Sequence, residues 1–285
     1  MNNAFLQFLA KIRINPLFWL TIGLSIITGH FREILLLFFA VFIHEMGHYT
    51  AAHLFQWRVK KIELFPFGGV AEVEEHGNRR FSEEIIVTIS GPIQHLWMMA
   101  AAYLALQLGW WDSTSCDWFL KMNLTLLVFN LLPIWPLDGG KLIFIAATSI
   151  FPFKKAHTVF LLCSFSMLLI LFLSFLPRDP FHLNLWIVAI FLGVSHYIEW
   201  NRRPYVFLRF LMTRSEGKGD KALTTPIHVS PDAELYDVIS LFRKGVRHFI
   251  VIQTNEKNRV VEEKLVLNTF FSSNQVRCAI GHLFR

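Results

Sequence analysis

Long apolar stretches that follow one another through the first two hundred residues limit the possible folds of this chain more than any other feature. A helix needs roughly 20 mostly apolar residues to cross the hydrocarbon core of a bilayer. About six windows approach that length, at residues 17–28, 34–55, 85–108, 119–151, 158–176 and 181–200. Of the 285 residues, 54% are hydrophobic and 17% are charged, a balance that is unusual for a water-soluble protein. The sequence therefore predicts a polytopic α-helical membrane protein with about six transmembrane helices.

The net charge of +6 is spread unevenly over the loops between these windows. Basic residues are concentrated at the N-terminus and after every second window: Lys11, Arg13, Arg58, Lys60, Lys61, Arg79, Arg80, Lys154, Lys155, Arg202, Arg203 and Arg209. Such loops remain on the cytoplasmic side of a membrane. We therefore expect a multi-pass protein with both termini in the cytoplasm, whose positive charge faces membrane lipid and does not bind nucleic acid directly.

Composition divides the chain into three parts. Residues 1–201 form the predicted transmembrane domain, and residues 202–221 read as a juxtamembrane linker, because arginines are followed there by a run of helix-breaking residues. Residues 222–285 are predicted to form a small soluble α+β domain. Its pattern indicates a strand at 227–229, a helix from Ser230 to Lys244 and a second strand at 248–252.

The segment 59–73, between the second and third windows, is predicted to be a membrane-associated β-hairpin. It is partly β-branched or aromatic and has Pro66, Gly68 and Gly69 at its middle. A hairpin leaves edge N–H and C=O groups that can pair with an added strand. We expect a substrate to bind as a strand beside Leu64, Phe65, Phe67, Gly68, Gly69 and Val70. The alternative is a hairpin that only plugs a cavity or covers the membrane surface.

The pentapeptide His44-Glu45-Met46-Gly47-His48 lies inside the second window. On a helix its two histidines share one face and are close enough to bind one tetrahedral zinc ion, while the glutamate can take a proton from metal-bound water. Polar groups this deep in a bilayer are unfavourable unless a partner compensates them, and a metal ion is such a partner. The alternative is a hydrogen-bonded polar patch between helices.

A catalytic zinc has three protein ligands and one position for water, so a third ligand is needed. Asp138 is the only carboxylate in the fourth window, where two prolines and two glycines interrupt the helix. It is the predicted third ligand, and a helix-capping role is the alternative. Asn130 could donate its amide to the oxyanion of a tetrahedral intermediate or tie two helices together.

Other histidines lie near or within the windows, where an interfacial or hydrogen-bonded imidazole is the ordinary outcome. They are His30, His53, His76, His95, His157 and His196. None is predicted to bind the metal. His76 and His95 are the strongest of the remaining candidates.

Taken together, three motifs resemble the site-2 protease family of intramembrane zinc metalloproteases. They are the HExxH at residues 44–48, the pattern N-x-x-P-x-x-x-x-D-G at residues 130–139, and Ser90-Gly91-Pro92 in the third window. Further blocks at residues 65–69, 74–79 and 131–141 are similar to the sporulation members of that family, so the resemblance covers nearly the whole chain.

This resemblance implies a peptidase with one Zn²⁺ per chain, in which Glu45 handles the protons. It also implies the substrate, the sporulation sigma factor precursor pro-sigma-K, whose pro-sequence would be removed on the mother-cell side of the membrane around the forespore. Inhibitory membrane proteins would act as partners that hold the enzyme inactive.

The C-terminal segment resembles a single CBS domain in the pattern that runs from Pro231 to Val251. Because a CBS motif usually pairs with a second one to bind an adenine nucleotide, ATP or a similar ligand would require a homo-oligomer. The alternative is a docking domain with no ligand. A CBS-regulated transporter or channel is the competing function, but the one interrupted window has no counterpart in a second, similar half, which favours the protease.

Overall fold

The computed structural model describes residues 12–14, 16–57, 59–65, 68–73, 79–177, 183–216, 223–253, 258–272 and 278–284. The helices in these ranges are α1 (Pro16–Ile27), α2 (Phe31–Leu54), α3 (Phe81–Gln107), α4 (Ser113–Asn130), α5 (Asp138–Ile150), α6 (Phe153–Phe175), α7 (Leu183–Ser215), α8 (Leu235–Ser240), α9 (Glu263–Ser272) and α10 (Ile280–Leu283). The strands are β1 (Ile12–Ile14), β2 (Val59–Phe65), β3 (Gly68–Val73), β4 (Leu223–Val229), β5 (Val246–Ile252) and β6 (Arg259–Glu262).

Four of the described helices, α2, α3, α6 and α7, are long and apolar enough to cross a membrane. Their lengths range from 23 to 33 residues. The remaining predicted spans are helical but shorter: α1 has 12 residues, and the fourth window is divided into α4 and α5, with 18 and 13 residues. An integral membrane protein is therefore supported, while the predicted count of six spans is not confirmed.

The chain divides into two compact units, of which the first contains α1 to α4 and the strands β1 to β3. The predicted hairpin is present, because β2 and β3 pair antiparallel, with Phe65 opposite Gly68 and Leu64 opposite Gly69. One strand of this sheet was not predicted: β1, from the N-terminal segment, pairs parallel with β2 at Ile62–Leu64. The sheet order is thus β1-β2-β3, and both hairpin strands contact α2.

The interruption between α4 and α5 lies where its prolines and glycines predict it. Helix α4 ends at Asn130, and α5 begins at Asp138. A Cβ atom added at Gly139 would overlap the carbonyl oxygen of Leu131. Only glycine therefore allows the start of α5 to approach the end of α4 this closely.

The second unit contains most of α5 together with α6, α7 and the C-terminal residues. The segment 202–221 is predicted to be a linker, but helix α7 continues through its arginines as far as Ser215. Phe207, Phe210 and Leu211 of α7 are buried in one core with Phe153 and the C-terminal elements. The burial of these apolar side chains outweighs the polar character of the neighbouring arginines. The division into domains at residues 1–201, 202–221 and 222–285 stays a prediction.

The C-terminal sheet has the order β4-β5-β6, with β4 parallel and β6 antiparallel to β5. The predicted strand–helix–strand order is present, but helix α8 ends at Ser240, short of the predicted Lys244. The chain turns there because Phe242 enters the core and Gly245 adopts a left-handed φ of +74°. Whether this sheet is a CBS domain remains a prediction.

A half-buried ion pair within the second unit joins Arg214, near the end of α7, to Glu263, the first residue of α9. Arg214 donates from Nη2 to Glu263 Oε2 at 2.7 Å, and the backbone N–H of His248 donates to the same oxygen at 2.8 Å. Burial alone would raise the pKa of the Glu263 carboxyl, but the hydrogen bonds from His248 and Arg214 outweigh it and lower the pKa to about 2. Glu263 is therefore ionised at neutral pH and anchors the end of α7.

Candidate active site

The HExxH motif forms a buried polar patch on helix α2. His44, Glu45 and His48 are 4%, 6% and 7% exposed. Because the two histidines are separated by four residues, both imidazoles project from the same face of the helix. The apolar sequence around them makes α2 a continuous helix that is long and apolar enough to cross a membrane.

Asp138 meets both histidines although it lies 90 residues further along the chain. Its Oδ2 atom is 3.1 Å from His44 Nε2 and 3.1 Å from His48 Nε2. The two Nε2 atoms are themselves 3.1 Å apart. The three atoms thus form a nearly equilateral triangle, and Asp138, at 3% exposure, is as buried as the histidines.

The hydrogen-bonding partner of His48 shows that this triangle suits a cation. His48 Nδ1 lies 2.8 Å from the carbonyl oxygen of Val87, which can only accept, so Nδ1 carries a proton. In the neutral imidazole that a metal ligand must be, Nε2 then presents a lone pair. That lone pair faces a carboxylate oxygen and a second imidazole nitrogen. Acceptors that converge in a buried site need a cation between them, and two imidazoles with one carboxylate are a ligand set typical of catalytic zinc. Donors around a tetrahedral zinc lie roughly 3.3 Å apart, close to the spacing found here.

Helix α3 approaches the triangle at Gly91. A Cβ atom added there would overlap His48 Nε2 and lie 2.8 Å from His44 Nε2. Gly91 therefore leaves the space in which the ligand nitrogens lie, and this explains why a glycine stands at this position of the third span. From the sequence it was recognisable only as part of the Ser90-Gly91-Pro92 motif.

His44 has a buried partner that is not among the predicted site residues. Its Nδ1 atom is 3.1 Å from His95 Nε2, and His95 Nδ1 is 2.9 Å from Asn123 Oδ1. His95 and Asn123 are 1% and 0% exposed. In the sequence the available signal was two polar residues within apolar helices. His76, the other histidine considered, lies outside the described residues.

The remaining predicted site residues are placed as follows. Asn130 is the last residue of α4, is half-buried, and donates its side-chain amide to Leu126 O at 3.0 Å. Leu64 and Phe65 are in β2, and Gly68, Gly69 and Val70 are in β3. Phe67 lies outside the described residues. None of these positions tests the proposed oxyanion or substrate roles.

Comparison with known proteins identifies the family. Residues 32–111 and 107–172 match the family described as peptidase family M50. The chain is 38% identical, over 285 residues, to stage IV sporulation protein FB of Bacillus subtilis, an alignment that covers 99% of this chain and 98% of that protein. The chain belongs to the site-2 protease family.

Two further comparisons agree with this membership. The chain is 26% identical over 231 residues to zinc metalloprotease MJ0392 of Methanocaldococcus jannaschii, which covers 78% of this chain and 65% of that protein. It also resembles a solved structure, the site-2 protease from the same archaeon, with a TM-score of 0.53 and 26% identity over 66% of this chain and 89% of that chain. As a site-2 protease, this protein is a membrane zinc metallopeptidase, and the competing transporter hypothesis is set aside.

Proposed function

We propose that this site-2 protease removes the pro-sequence of a sporulation sigma factor precursor of the pro-sigma-K type, with His44, His48 and Asp138 as its zinc ligands. The observation that carries the chemistry is the buried triangle of acceptor atoms, with sides of 3.1 Å. The substrate rests on the resemblance to the sporulation branch and on the full-length similarity to stage IV sporulation protein FB.

The residues divide the work of hydrolysis between them. Zinc, when bound, supplies a Lewis acid that polarises the scissile carbonyl and lowers the pKa of a water molecule. Glu45 adjoins His44 on the buried face of α2, where it accepts the proton of the attacking water and returns it to the leaving amine. Asn130 offers its remaining amide hydrogen to the developing oxyanion.

Water and substrate enter this site from the cytoplasm. His48 lies six residues before Leu54, the last residue of α2, which is about 9 Å along the helix axis. The basic loop that follows α2 supports a cytoplasmic location for this end, with both termini on the same side. A reporter fused after Arg209 should then be cytoplasmic and one inserted at Asp112 should be external. The reverse pattern would contradict this route of entry.

Reconstitution with the substrate tests the proposed function. Purified protease in liposomes should shorten a pro-sigma-K protein at one N-terminal site, and it should leave the mature form of that sigma factor intact. Mass spectrometry of the product gives the cleaved bond. A protease that holds stoichiometric zinc and cuts an unrelated membrane peptide, but not the sigma factor precursor, would contradict the substrate while leaving the peptidase chemistry in place.

Substrate binding by strand addition is also part of this proposal, and the sheet order narrows it to one strand. The outer edge of β2 is taken at Ile62–Leu64 by β1. Within the described residues no strand pairs with the outer edge of β3. Because β3 contacts the zinc-binding helix α2, a substrate segment paired with Gly68–Val73 would be extended close to the site. A protease needs such an extended segment, since a helical backbone hides its peptide bonds.

Disulfide crosslinking should detect this pairing. In a Glu45→Gln background we expect single cysteines at Val70, Ala71 and Glu72 to crosslink to substrate cysteines near the cleavage site. The substrate partner should shift by one residue for each step along β3, because strand pairing fixes the register.

The matched control for these crosslinks is a cysteine at Glu63, which pairs with Arg13 of β1 and should not crosslink to the substrate. Because the native Cys163 is exposed and could itself crosslink, the Glu45→Gln protein without an added cysteine must be measured alongside. Crosslinks without register would leave the hairpin as a plug.

The C-terminal residues 222–285 are proposed either to regulate the protease by binding nucleotide or to act as a docking domain without a ligand. If they bind ATP as a CBS domain in a homo-oligomer, nucleotide should change the rate at which the full-length protein cleaves its substrate. Equal rates with and without ATP would favour docking alone. Inhibitory membrane proteins remain the proposed partners that keep the protease inactive until cleavage is required.

A further inference from the structure

We propose that His95 and Asn123 are positioning residues that fix the tautomer of His44, so that its Nε2 lone pair faces the metal. This inference rests on the zinc ligands proposed above and concerns three helices of the first unit: α2 carries His44, α3 carries His95 and α4 carries Asn123. The chain of hydrogen bonds that joins them starts at a backbone carbonyl whose role is unambiguous.

The direction of the chain follows from that carbonyl. Asn123 lies 3.0 Å from Phe119 O through its side-chain amide nitrogen. A carbonyl oxygen only accepts, so the amide nitrogen faces Phe119 and Oδ1 faces His95. The amide oxygen also only accepts, and therefore His95 Nδ1, 2.9 Å away, carries a proton.

The same reasoning assigns the position of the proton on His44. His95 is 1% exposed among apolar helices, a setting that favours a neutral imidazole, which has one donor and one acceptor. With its proton on Nδ1, His95 accepts at Nε2. His44 Nδ1, 3.1 Å away, must then donate to it, and this leaves His44 Nε2 as a lone pair 3.1 Å from Asp138 Oδ2.

The two metal-binding histidines are thus oriented in different ways. His48 donates from Nδ1 directly to the backbone carbonyl of Val87, so the backbone itself fixes its tautomer. For His44 the backbone acts through two intervening side chains, His95 and Asn123. Partners of this kind hold the ring in place and raise the basicity of the ligand nitrogen, and their loss typically lowers metal affinity about 10- to 100-fold.

The zinc dissociation constant, measured by competition with a chelator on the full-length protein in detergent, tests this role. His95→Leu should weaken zinc binding about 10- to 100-fold, because His44 Nδ1 loses its acceptor. His95→Gln should stay close to wild type, since its amide oxygen can replace the acceptor Nε2 while its nitrogen donates to Asn123. Asn123→Leu should also weaken binding, because His95 is no longer held in one tautomer.

A matched control separates this role from simple packing. His157 is also buried and has a polar partner, Glu199 Oε1 at 3.1 Å, but it belongs to the second unit. His157→Leu makes the same chemical change and should leave the zinc dissociation constant unchanged. Equal weakening in His95→Leu and His95→Gln, or wild-type affinity in His95→Leu, would overturn the proposal.

Two further measurements keep the test decisive if His95→Leu does not fold. His95→Asn carries an amide too short to reach His44, so it should bind zinc less tightly than His95→Gln, and equal affinities would overturn the proposal. In ¹⁵N spectra of the zinc-bound wild type with labelled histidine, the proton of His44 should lie on Nδ1, which leaves Nε2 to the metal. The opposite tautomer would contradict the assigned direction of the chain.

Discussion

Glu45→Gln is expected to abolish peptide hydrolysis while zinc remains bound. The carboxylate lies on the buried face of α2 beside His44, but it is not part of the triangle of ligand atoms. Its replacement removes the proton acceptor and leaves the ligands unchanged, and general-base catalysis is typically worth a factor of about 10² to 10⁴. Cleavage assays and metal analysis of the same preparation measure the two effects together.

Glu83→Gln is the matched control for this result. Glu83 lies in α3, where its carboxylate accepts a hydrogen bond from Trp57 Nε1 at 3.1 Å, and glutamine can accept the same bond. This variant should retain both zinc and activity. If Glu45→Gln turned over its substrate at the wild-type rate, a different group would have to take the proton of the attacking water.

Gly91→Ala is expected to lower zinc affinity at least about tenfold. This is at least the loss of affinity that is typical when a residue hydrogen-bonded to a metal ligand is removed. The added methyl group would overlap His48 Nε2, so either the ring must turn away or α3 must move from α2. Either change separates the three ligand atoms. Zinc titration of the purified variant measures the loss.

A second glycine-to-alanine change controls for effects on the helix itself. Gly193 lies in α7, and a Cβ atom added there would meet nothing within 4 Å. Gly193→Ala should therefore bind zinc like the wild type. Full zinc content in Gly91→Ala would show that α2 and α3 are farther apart than the structure places them.

The local chemistry of the site is readable from the sequence, because it depends on spacing within single helices. The HExxH motif puts both histidines on one face, and the interruption before Asp138 follows from its prolines and glycines. That Asp138 reaches these histidines follows from the packing of helices far apart in the chain. From the sequence, Asp138 could be assigned as the third ligand only by eliminating other carboxylates and from the family resemblance.

Features that depend on packing between elements were missed for the same reason. Strand β1 is too short to give an alternating pattern, yet it covers one edge of the hairpin. The arginines after Trp200 suggested a linker, whereas buried phenylalanines keep α7 helical to Ser215. The sequence offers His95 only as a possible ligand, whereas its contact with His44 supports the positioning role proposed above.

Zinc stoichiometry in the purified wild type beside Asp138→Ala tests the central claim most directly. We expect one zinc ion per chain in the wild type. In Asp138→Ala we expect a large loss of zinc, because the triangle loses its only charged ligand and two imidazoles remain. Elemental analysis after gel filtration, with unchanged elution as the check on folding, gives both values. Stoichiometric zinc in Asp138→Ala would contradict the account and show that another residue provides the third ligand.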